Sequence, residues 1–194
     1  MAPQLILAAL ALVCLGVASQ PDCSDLVKPL TDYSSSLGKW IFYAGTSNTE
    51  ESLAKLKTFT SSWIRSKRVS DGRPEVMEFA DKVNGKCVYV DANITTVDDR
   101  IFIAFNYQNQ THVHNGQHLE TCPDCLLWTD TTKTPGSVDT KNLYIFTRTG
   151  NLTLPHLELV KQQAACLNFT LGFHRGSADL CPEQKEESAE KEDE

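Results

Sequence analysis

Two groups of side chains in this sequence could carry out chemistry, and the first is the pair Cys122 and Cys125. Their C-x-x-C spacing is that of a redox dithiol, which needs a strand-to-helix junction of the thioredoxin kind. The surrounding sequence indicates strands and turns. The better interpretation is therefore that the two cysteines form a structural disulfide within a loop, or that each pairs with another cysteine. An oxidoreductase is the alternative.

The second group is formed by His112, His114 and His118. His112 and His114 share a face if this segment is extended, and two imidazoles could bind a metal ion. A zinc site usually adds a third protein ligand and supporting hydrogen bonds, and neither can be identified. The sequon at Asn109 favours exposure, so we expect a solvated loop with no metal and no cofactor. The sequence has no G-x-S-x-G nucleophile motif, and we expect no enzymatic activity.

The amino-terminal segment indicates secretion. The stretch from Met1 to Ser19 contains no charged side chain, has an apolar core from Leu5 to Val17 and ends in small residues. This composition is typical of a secretory signal, and the segment is too short for a membrane span, which needs about 20 apolar residues. We predict a signal peptide at 1–19, an extracellular protein and no stable membrane insertion.

The remaining length fits one domain, predicted over 20–182, with an acidic disordered tail over 183–194. The tail carries seven acidic and two basic residues, which accounts for most of the formal net charge of −7. The chain lacks the basic face that nucleic acid requires, so nucleic acid is not expected as a partner. We expect a monomer.

Cysteine count and sequons support an extracellular protein. Removing the signal would remove Cys14 and leave six cysteines, an even number that indicates disulfide bonds but allows 15 pairings. Four Asn-x-Ser/Thr sequons without a middle proline predict a glycoprotein. Their acceptor residues are Asn93, Asn109, Asn151 and Asn168.

Beyond Trp40 the sequence alternates short apolar runs with turn residues, which is typical of an all-β barrel or sandwich. Asn84-Gly85 predicts a type I′ hairpin turn, because both central residues need positive φ. Thr134-Pro135-Gly136-Ser137 predicts another turn. The predicted strands cover 74–83, 86–93, 101–107, 126–129 and 142–149.

One helix is predicted, from Leu154 to Leu167. Thr153 can cap its first turn, and Pro155 lies where a missing N–H costs little. Apolar residues recur at helical spacing and predict a packing face. They are Leu154, Leu157, Val160, Ala164 and Leu167.

Gly38-Lys39-Trp40 opens an apolar run, and this G-x-W segment resembles the start of the first strand in lipocalins. Other short blocks follow in the order seen in the alpha-1-acid glycoprotein, or orosomucoid, branch. They are Cys23 to Val27, Cys87-Val88-Tyr89, Ala165-Cys166-Leu167 and Leu180 to Glu183. The chain thus resembles orosomucoid-type lipocalins, which include the saxitoxin and tetrodotoxin binding protein and tributyltin-binding relatives.

The resemblance implies an eight-stranded antiparallel barrel with one carboxy-terminal α-helix packed outside. It also implies the disulfide pairs Cys23 with Cys166 and Cys87 with Cys181, which leaves Cys122 and Cys125 for each other. The implied function is reversible binding of a small lipophilic or amphiphilic molecule in the barrel cavity, with drugs, toxins and organotin compounds as candidates. The alternative is a secreted immune-modulating interaction protein whose barrel is filled by its own side chains.

Alternation like that of the family places several aromatic residues in the cavity lining. They are Phe42, Phe59, Trp63, Phe79, Phe105 and Trp128, with Trp40 across the floor. A cationic ligand would need a carboxylate or an aromatic face, and an anionic ligand would need Arg65, Arg68 or Arg148. The sequence supplies groups of both kinds, so it does not determine the charge of the ligand. The arginine that packs on the G-x-W tryptophan in lipocalins stays unassigned, because Asn168 holds the position resembling it.

Overall fold

The structure is a computed structural model that describes residues 22–71, 73–98, 100–107, 109–133 and 139–184. The predicted signal peptide, the turn at 134–137 and most of the predicted tail lie outside these residues. The helices are α1 (Cys23–Leu26), a 3₁₀ helix (Tyr33–Ser36), α2 (Glu50–Leu56) and α3 (Leu154–Cys166). The strands are β1 (Lys39–Ser47), β2 (Phe59–Ser70), β3 (Arg73–Val83), β4 (Lys86–Val97), β5 (Arg100–Tyr107), β6 (Gln110–Leu119), β7 (Cys125–Lys133), β8 (Thr140–Thr147) and β9 (His174–Arg175).

Strands β1 to β8 form a closed antiparallel barrel, which confirms the predicted fold. Closure depends on β1, which pairs with β2 through Lys39 to Ile41 and with β8 along the rest of its length. A bulge between Phe42 and Ala44 shifts the register of the pairing with β8. Because the ring is closed, β1 and β2 present no free edge where they meet.

The Asn84-Gly85 turn between β3 and β4 has the backbone that its sequence predicts. Asn84 has φ of 50° and Gly85 of 77°, so both adopt the left-handed conformation that a type I′ turn requires. The predicted strands overlap β3, β4, β5, β7 and β8. The observed β4 and β7 are longer, because their β-branched threonines extend the pairing to Val97 and Lys133.

The segment from Gln110 to Leu119 is a strand, where we had expected a solvated loop. Its polar residues do not form an obvious strand pattern, but β5 and β7 pair with it on both sides. These two ladders provide partners for its backbone, which outweighs its weak strand propensity. The loop expectation was therefore wrong.

Helix α2 lies between β1 and β2 and was not predicted. The Thr49 hydroxyl accepts a hydrogen bond of 3.2 Å from the backbone N–H of Ser52, which caps the helix. Glu51 and Lys55 form an ion pair one turn apart, and Leu53 is buried. A short helix with a single buried side chain leaves almost no apolar periodicity in the sequence.

Helix α3 packs against the outside of the barrel, as predicted, but its buried face differs from the expected stripe. Leu154 is 77% exposed, whereas Gln163 is 1% exposed. The Gln163 amide donates to the carbonyl oxygens of Leu26 and Glu120, both at 2.7 Å, so a polar side chain anchors the helix. No helix among the described residues is long and apolar enough to span a membrane.

The carboxy-terminal segment 177–183 lies along the outer face of β2 and β3. Its backbone accepts hydrogen bonds from Ser61 and Trp63, and Asp179 forms an ion pair with Lys82. Glu183, placed in the predicted disordered tail, pairs with both Lys39 and Arg65. These ion pairs hold Glu183 against the outer face of the barrel.

Candidate functional site

The inner face of the barrel follows from the alternation of side chains along each strand. In β7 and β8, residues directly opposite each other on this face form three pairs. They are Leu126 with Phe146, Trp128 with Tyr144 and Asp130 with Asn142. The apolar members belong to two connected clusters that fill the barrel.

The floor of the barrel is formed by Trp40, which is 3% exposed. Its indole N–H donates to the carbonyl of Ser36 at 2.8 Å, and the Arg148 guanidinium lies 3.6 Å from the indole ring centroid. Arg148 also donates to the carbonyls of Lys39 and Ser35, at 2.9 and 3.1 Å. Burial lowers the pKa of Arg148 from its ordinary value.

Arg148 is thus the arginine that the sequence left unassigned. A signal was available, because Arg148 directly follows β8, the strand that pairs with β1 next to Trp40. Gly38 completes this arrangement. It has φ of 85°, and a Cβ atom there would lie 3.2 Å from the Arg148 Nη1 atom.

Five of the seven aromatic residues predicted to line the cavity do lie in the interior clusters. Phe79 and Phe105 stand edge to face, with ring centroids 5.6 Å apart. Phe105 also stacks on His112 and His114, at 5.3 and 5.6 Å. The interior set is Trp40, Phe42, Phe79, Phe105 and Trp128. These residues form one continuous aromatic lining.

Trp63 and Phe59 do not belong to this lining. In the β1–β2 register Trp40 faces Ile64, so Trp63, the next residue along, points out of the barrel. There it packs with Ala80 and Cys181 and donates to the Cys181 carbonyl at 2.8 Å. Phe59, half-buried at the start of β2, pairs with Val83 of β3 and is in neither interior cluster. The structure corrects the assignment of Trp63 to the cavity.

A polar network centred on Asp130 lies inside the barrel beside the aromatic lining. One Asp130 carboxylate oxygen accepts from the Trp128 indole at 2.8 Å and lies 2.6 Å from His114 Nδ1. The other accepts from the Asn142 amide at 2.8 Å and, more weakly, from Thr132. The carboxyl group is fully buried, and each oxygen is hydrogen-bonded, as a buried charge requires.

A second carboxyl group, that of Asp81, also lies on the inner face. Asp81 follows Phe79 by two residues in β3 and stands opposite Ser62. Burial raises the pKa of Asp81 to about 6, and a hydrogen bond with Ser62 opposes that shift. Burial, followed by the negative charges of Asp130 and Asp81, raises the pKa of Tyr144 well above its usual value. Both acids therefore act on the same region of the interior.

The arginines considered for an anionic ligand lie elsewhere. Arg65 is on the outer face, where it pairs with Glu78 at 2.7 Å and with Glu183 at 2.9 Å. Arg68 is exposed and pairs with Glu75. Arg148 is engaged at the floor. None of these three arginines therefore lies on the inner face beside Asp81 and Asp130.

The floor of the interior is closely packed. Beside Trp40 a cavity of about 20 Å³ remains, which is room for about one water molecule. The side chains nearer the Asp130 network are less tightly enclosed. Met77, Phe79, Phe105 and Tyr144 all retain partial exposure. A larger molecule could therefore enter only if some of these side chains change rotamer.

The predicted histidine cluster faces inward, but its members serve different contacts. His114 belongs to the Asp130 network, and His118 lies deeper, against Trp128. Among the described residues, three potential metal-ligating atoms come within 4.8 Å of one another at Cys122, Cys125 and His156. Both cysteines there are joined in a disulfide. Because a thiolate is the sulfur ligand that zinc requires, this group does not form a zinc site as it stands.

The structure contains the three disulfides that the family resemblance implies. Cys23 is joined to Cys166 at the end of α3, Cys87 to Cys181 in the carboxy-terminal segment, and Cys122 to Cys125. No strand-to-helix junction surrounds the last pair, which precedes and opens β7. The four sequon residues Asn93, Asn109, Asn151 and Asn168 are exposed.

Comparison with known proteins identifies the architecture. No known protein family and no curated protein matches the sequence. Among solved structures, a dog lipocalin allergen has 21% identity and a TM-score of 0.55, covering 76% of this chain and 98% of its own. Aphrodisin, a sex pheromone from female hamster, has 18% identity and a TM-score of 0.55, covering 75% of this chain and 98% of its own. An odorant-binding protein has 12% identity and a TM-score of 0.52, covering 72% of this chain and 88% of its own. The chain therefore has the lipocalin fold.

Proposed function

We propose that this protein is a carrier that reversibly binds a small amphiphilic molecule with a cationic group inside the barrel. The observation that carries the proposal is the pair of inward-facing carboxyl groups, Asp81 and Asp130, within an aromatic lining. An ammonium or guanidinium group gains from charge pairing with these acids and from the faces of the neighbouring rings. The arginines Arg65, Arg68 and Arg148 do not offer the same to an anion, because each is engaged away from these acids. The geometry therefore supports a cation.

The apolar part of the ligand supplies the remaining affinity. Removing apolar surface from water is worth about 25 cal/mol per Å², so about 200 Å² contributes roughly 5 kcal/mol before the costs of ordering. Phe79, Phe105 and Tyr144 would move from partial exposure onto the ligand. Since the closed interior holds only a small cavity, binding includes this rearrangement, which lowers the net affinity.

We further propose that the carrier is a secreted glycoprotein of the orosomucoid type. Three disulfides and four exposed sequon residues are consistent with an extracellular protein. The odorant-binding protein that shares the fold is named for a small-molecule ligand, which agrees with a binding role for this barrel. Intact-mass measurement before and after enzymatic removal of N-glycans tests the glycoprotein part, and an unchanged mass would refute it.

The ligand proposal is tested with three probes of similar length and different head groups: decylamine, 2-undecanone and decanoic acid. We expect decylamine to bind most tightly by calorimetry at pH 7.5. Asp81→Asn and Asp130→Asn should weaken decylamine binding about tenfold or more, since a hydrogen bond to a charged group is worth roughly 1.5–3 kcal/mol. Asp91→Asn is the matched control, because Asp91 pairs with Lys67 on the outer face. Tighter binding of decanoic acid would overturn the proposal.

The small size of the cavity favours a second candidate function. A barrel that stays filled by its own side chains would act through its surface and glycans, as a secreted interaction protein. Such a protein would show no shift in melting temperature with any of the three probes. A shift with decylamine that Asp81→Asn abolishes would exclude it as the sole function.

A further inference from the structure

The interior holds one polar atom that neither the Asp130 network nor the floor explains. His118 lies on the inner face of β6, with its ring 4.8 Å from that of Trp128 and in edge contact with Tyr33. Its Nδ1 atom is buried and has no hydrogen-bond partner among the described residues. Buried polar atoms in native proteins are nearly always paired, so this exception asks for an explanation.

The protonation state of His118 determines which partner Nδ1 can take. Burial lowers the pKa of His118 to about 4, so the ring is neutral near pH 7. A neutral imidazole has one N–H donor and one acceptor. In the tautomer that carries its proton on Nε2, Nδ1 is an acceptor that a hydroxyl group can satisfy.

A cavity adjoins the His118 side chain. His118 is part of the wall of the 20 Å³ cavity at the barrel floor, together with Trp40, Ile103 and Leu126. The space suits a group about as large as one water molecule, such as a hydroxyl. The other walls are mostly apolar, so a donor that enters would find few competing partners.

We propose that His118 is the polar anchor of a subsite at the barrel floor, where its Nδ1 accepts a hydrogen bond from a hydroxyl group at the buried end of the ligand. This inference rests on the proposed function and specifies its ligand further. His118 stands opposite Trp128, and Asp130 lies two residues further along β7, about 7 Å away along the strand. The favoured ligand thus carries a cationic group near the acids and a hydroxyl some way along an apolar body.

The test compares alkylamines with ω-amino alcohols of six to ten carbons, so that each pair differs by one terminal hydroxyl. In a purely apolar floor the hydroxyl weakens binding, because it is buried without a partner. With His118 as acceptor, we expect the best-fitting amino alcohol to bind about tenfold more tightly than its alkylamine. His118→Phe should reverse that preference, and His156→Phe, a change on the outer helix, should keep it.

A second measurement covers the case in which His118→Phe does not fold. In wild-type protein labelled with ¹⁵N at histidine, the Nδ1 resonance of His118 should shift when the amino alcohol binds, but not with the alkylamine. Equal affinities within each pair, or a preference that survives in His118→Phe, would overturn the subsite while the carrier function stands. Failure of both probe series to bind would overturn the carrier function and the subsite together.

Discussion

The indole N–H of Trp128 donates a hydrogen bond of 2.8 Å to the carboxylate of Asp130, so a fluorophore and a buried negative charge share one site. The same carboxylate oxygen contacts His114 at 2.6 Å. Any cation that approaches Asp130 must therefore change the surroundings of Trp128. Trp63, in contrast, is on the outside of the barrel, hydrogen-bonded to the Cys181 carbonyl.

This difference predicts which tryptophan reports binding. Titration with decylamine should change the intrinsic fluorescence in wild-type protein and in Trp63→Phe. Trp128→Phe should lose most of the change, because the remaining tryptophans are at the floor and on the outer face. A signal that disappears in Trp63→Phe but persists in Trp128→Phe would contradict the interior assignment.

Asp81 predicts a pH dependence of ligand binding. Its pKa is about 6 in the folded protein, so the carboxyl group loses its charge as the pH falls below about 6. The affinity for decylamine should decrease over this range and level off above it. Tyr144 stays neutral throughout, because its pKa is raised well above its usual value, while protonation of His112, whose pKa burial lowers, would oppose a cation at low pH as well. Asp81→Asn should therefore reduce the pH dependence of decylamine affinity only in part. If the pH dependence were unchanged in this variant, Asp81 would be excluded as its cause.

The same group predicts the sign of the effect on stability without ligand. The folded-state pKa of Asp81 is raised from 3.8, so the protein binds this proton more tightly when folded. The favourable contribution is complete below pH 3.8 and is lost as the pH rises through about 6. Relative to wild type, Asp81→Asn should gain stability between pH 4 and 6.5 in chemical denaturation. If the stability of Asp81→Asn relative to wild type instead increased as the pH was lowered, the sign would be opposite to the expected one.

How far the sequence predicts this structure depends on whether a feature leaves a local pattern. Asn84-Gly85 and the strand runs around it do, because a type I′ turn and alternating side chains need particular residues at fixed positions. The inward direction of Trp128 is also accessible, since β7 alternates regularly. Helix α2 and strand β6 leave no such pattern. Helix α2 depends on a hydroxyl cap and one buried leucine, and strand β6 depends on its pairing with the two neighbouring strands.

The candidate site was only partly predictable for a related reason. The aromatic lining can be inferred from alternation, but the β1–β2 register determines that Trp63 points outward. Asp81 and Asp130 resemble ordinary surface acids in the sequence. Each follows a lining aromatic, Phe79 or Trp128, by two positions, so alternation places both on the inner face. Only the closed ring of strands brings the two acids to the same region beside Tyr144.

Arg148 predicts a loss of stability when its planar group is removed. Arg148→Met would abolish the contact with Trp40 and two hydrogen bonds to backbone carbonyls. We expect a loss of about 2 kcal/mol, or about 4–8 °C in melting temperature for a domain of this size. Arg68→Met removes an exposed ion pair and should change stability by less than about 0.5 kcal/mol. Equal effects would show that the floor contact contributes little.

The disulfides predict unequal contributions to stability. Cys87 and Cys181 are separated by 94 positions, whereas Cys122 and Cys125 are separated by 3. Loop-closure entropy assigns about 4–5 kcal/mol to the long loop and about 2 kcal/mol to the short one. Denaturant titration of the double serine variant at each pair measures the difference. Removal of the short-range disulfide should be the milder change; the opposite ranking would mean that native-state strain dominates.

Native mass spectrometry of the protein purified from its natural source tests the central claim most directly. The account predicts one bound small molecule per chain, which on release and identification contains an amine, quaternary ammonium or guanidinium group on an apolar body. A stoichiometric carboxylic acid, or an empty barrel that also fails to take up decylamine, would contradict it.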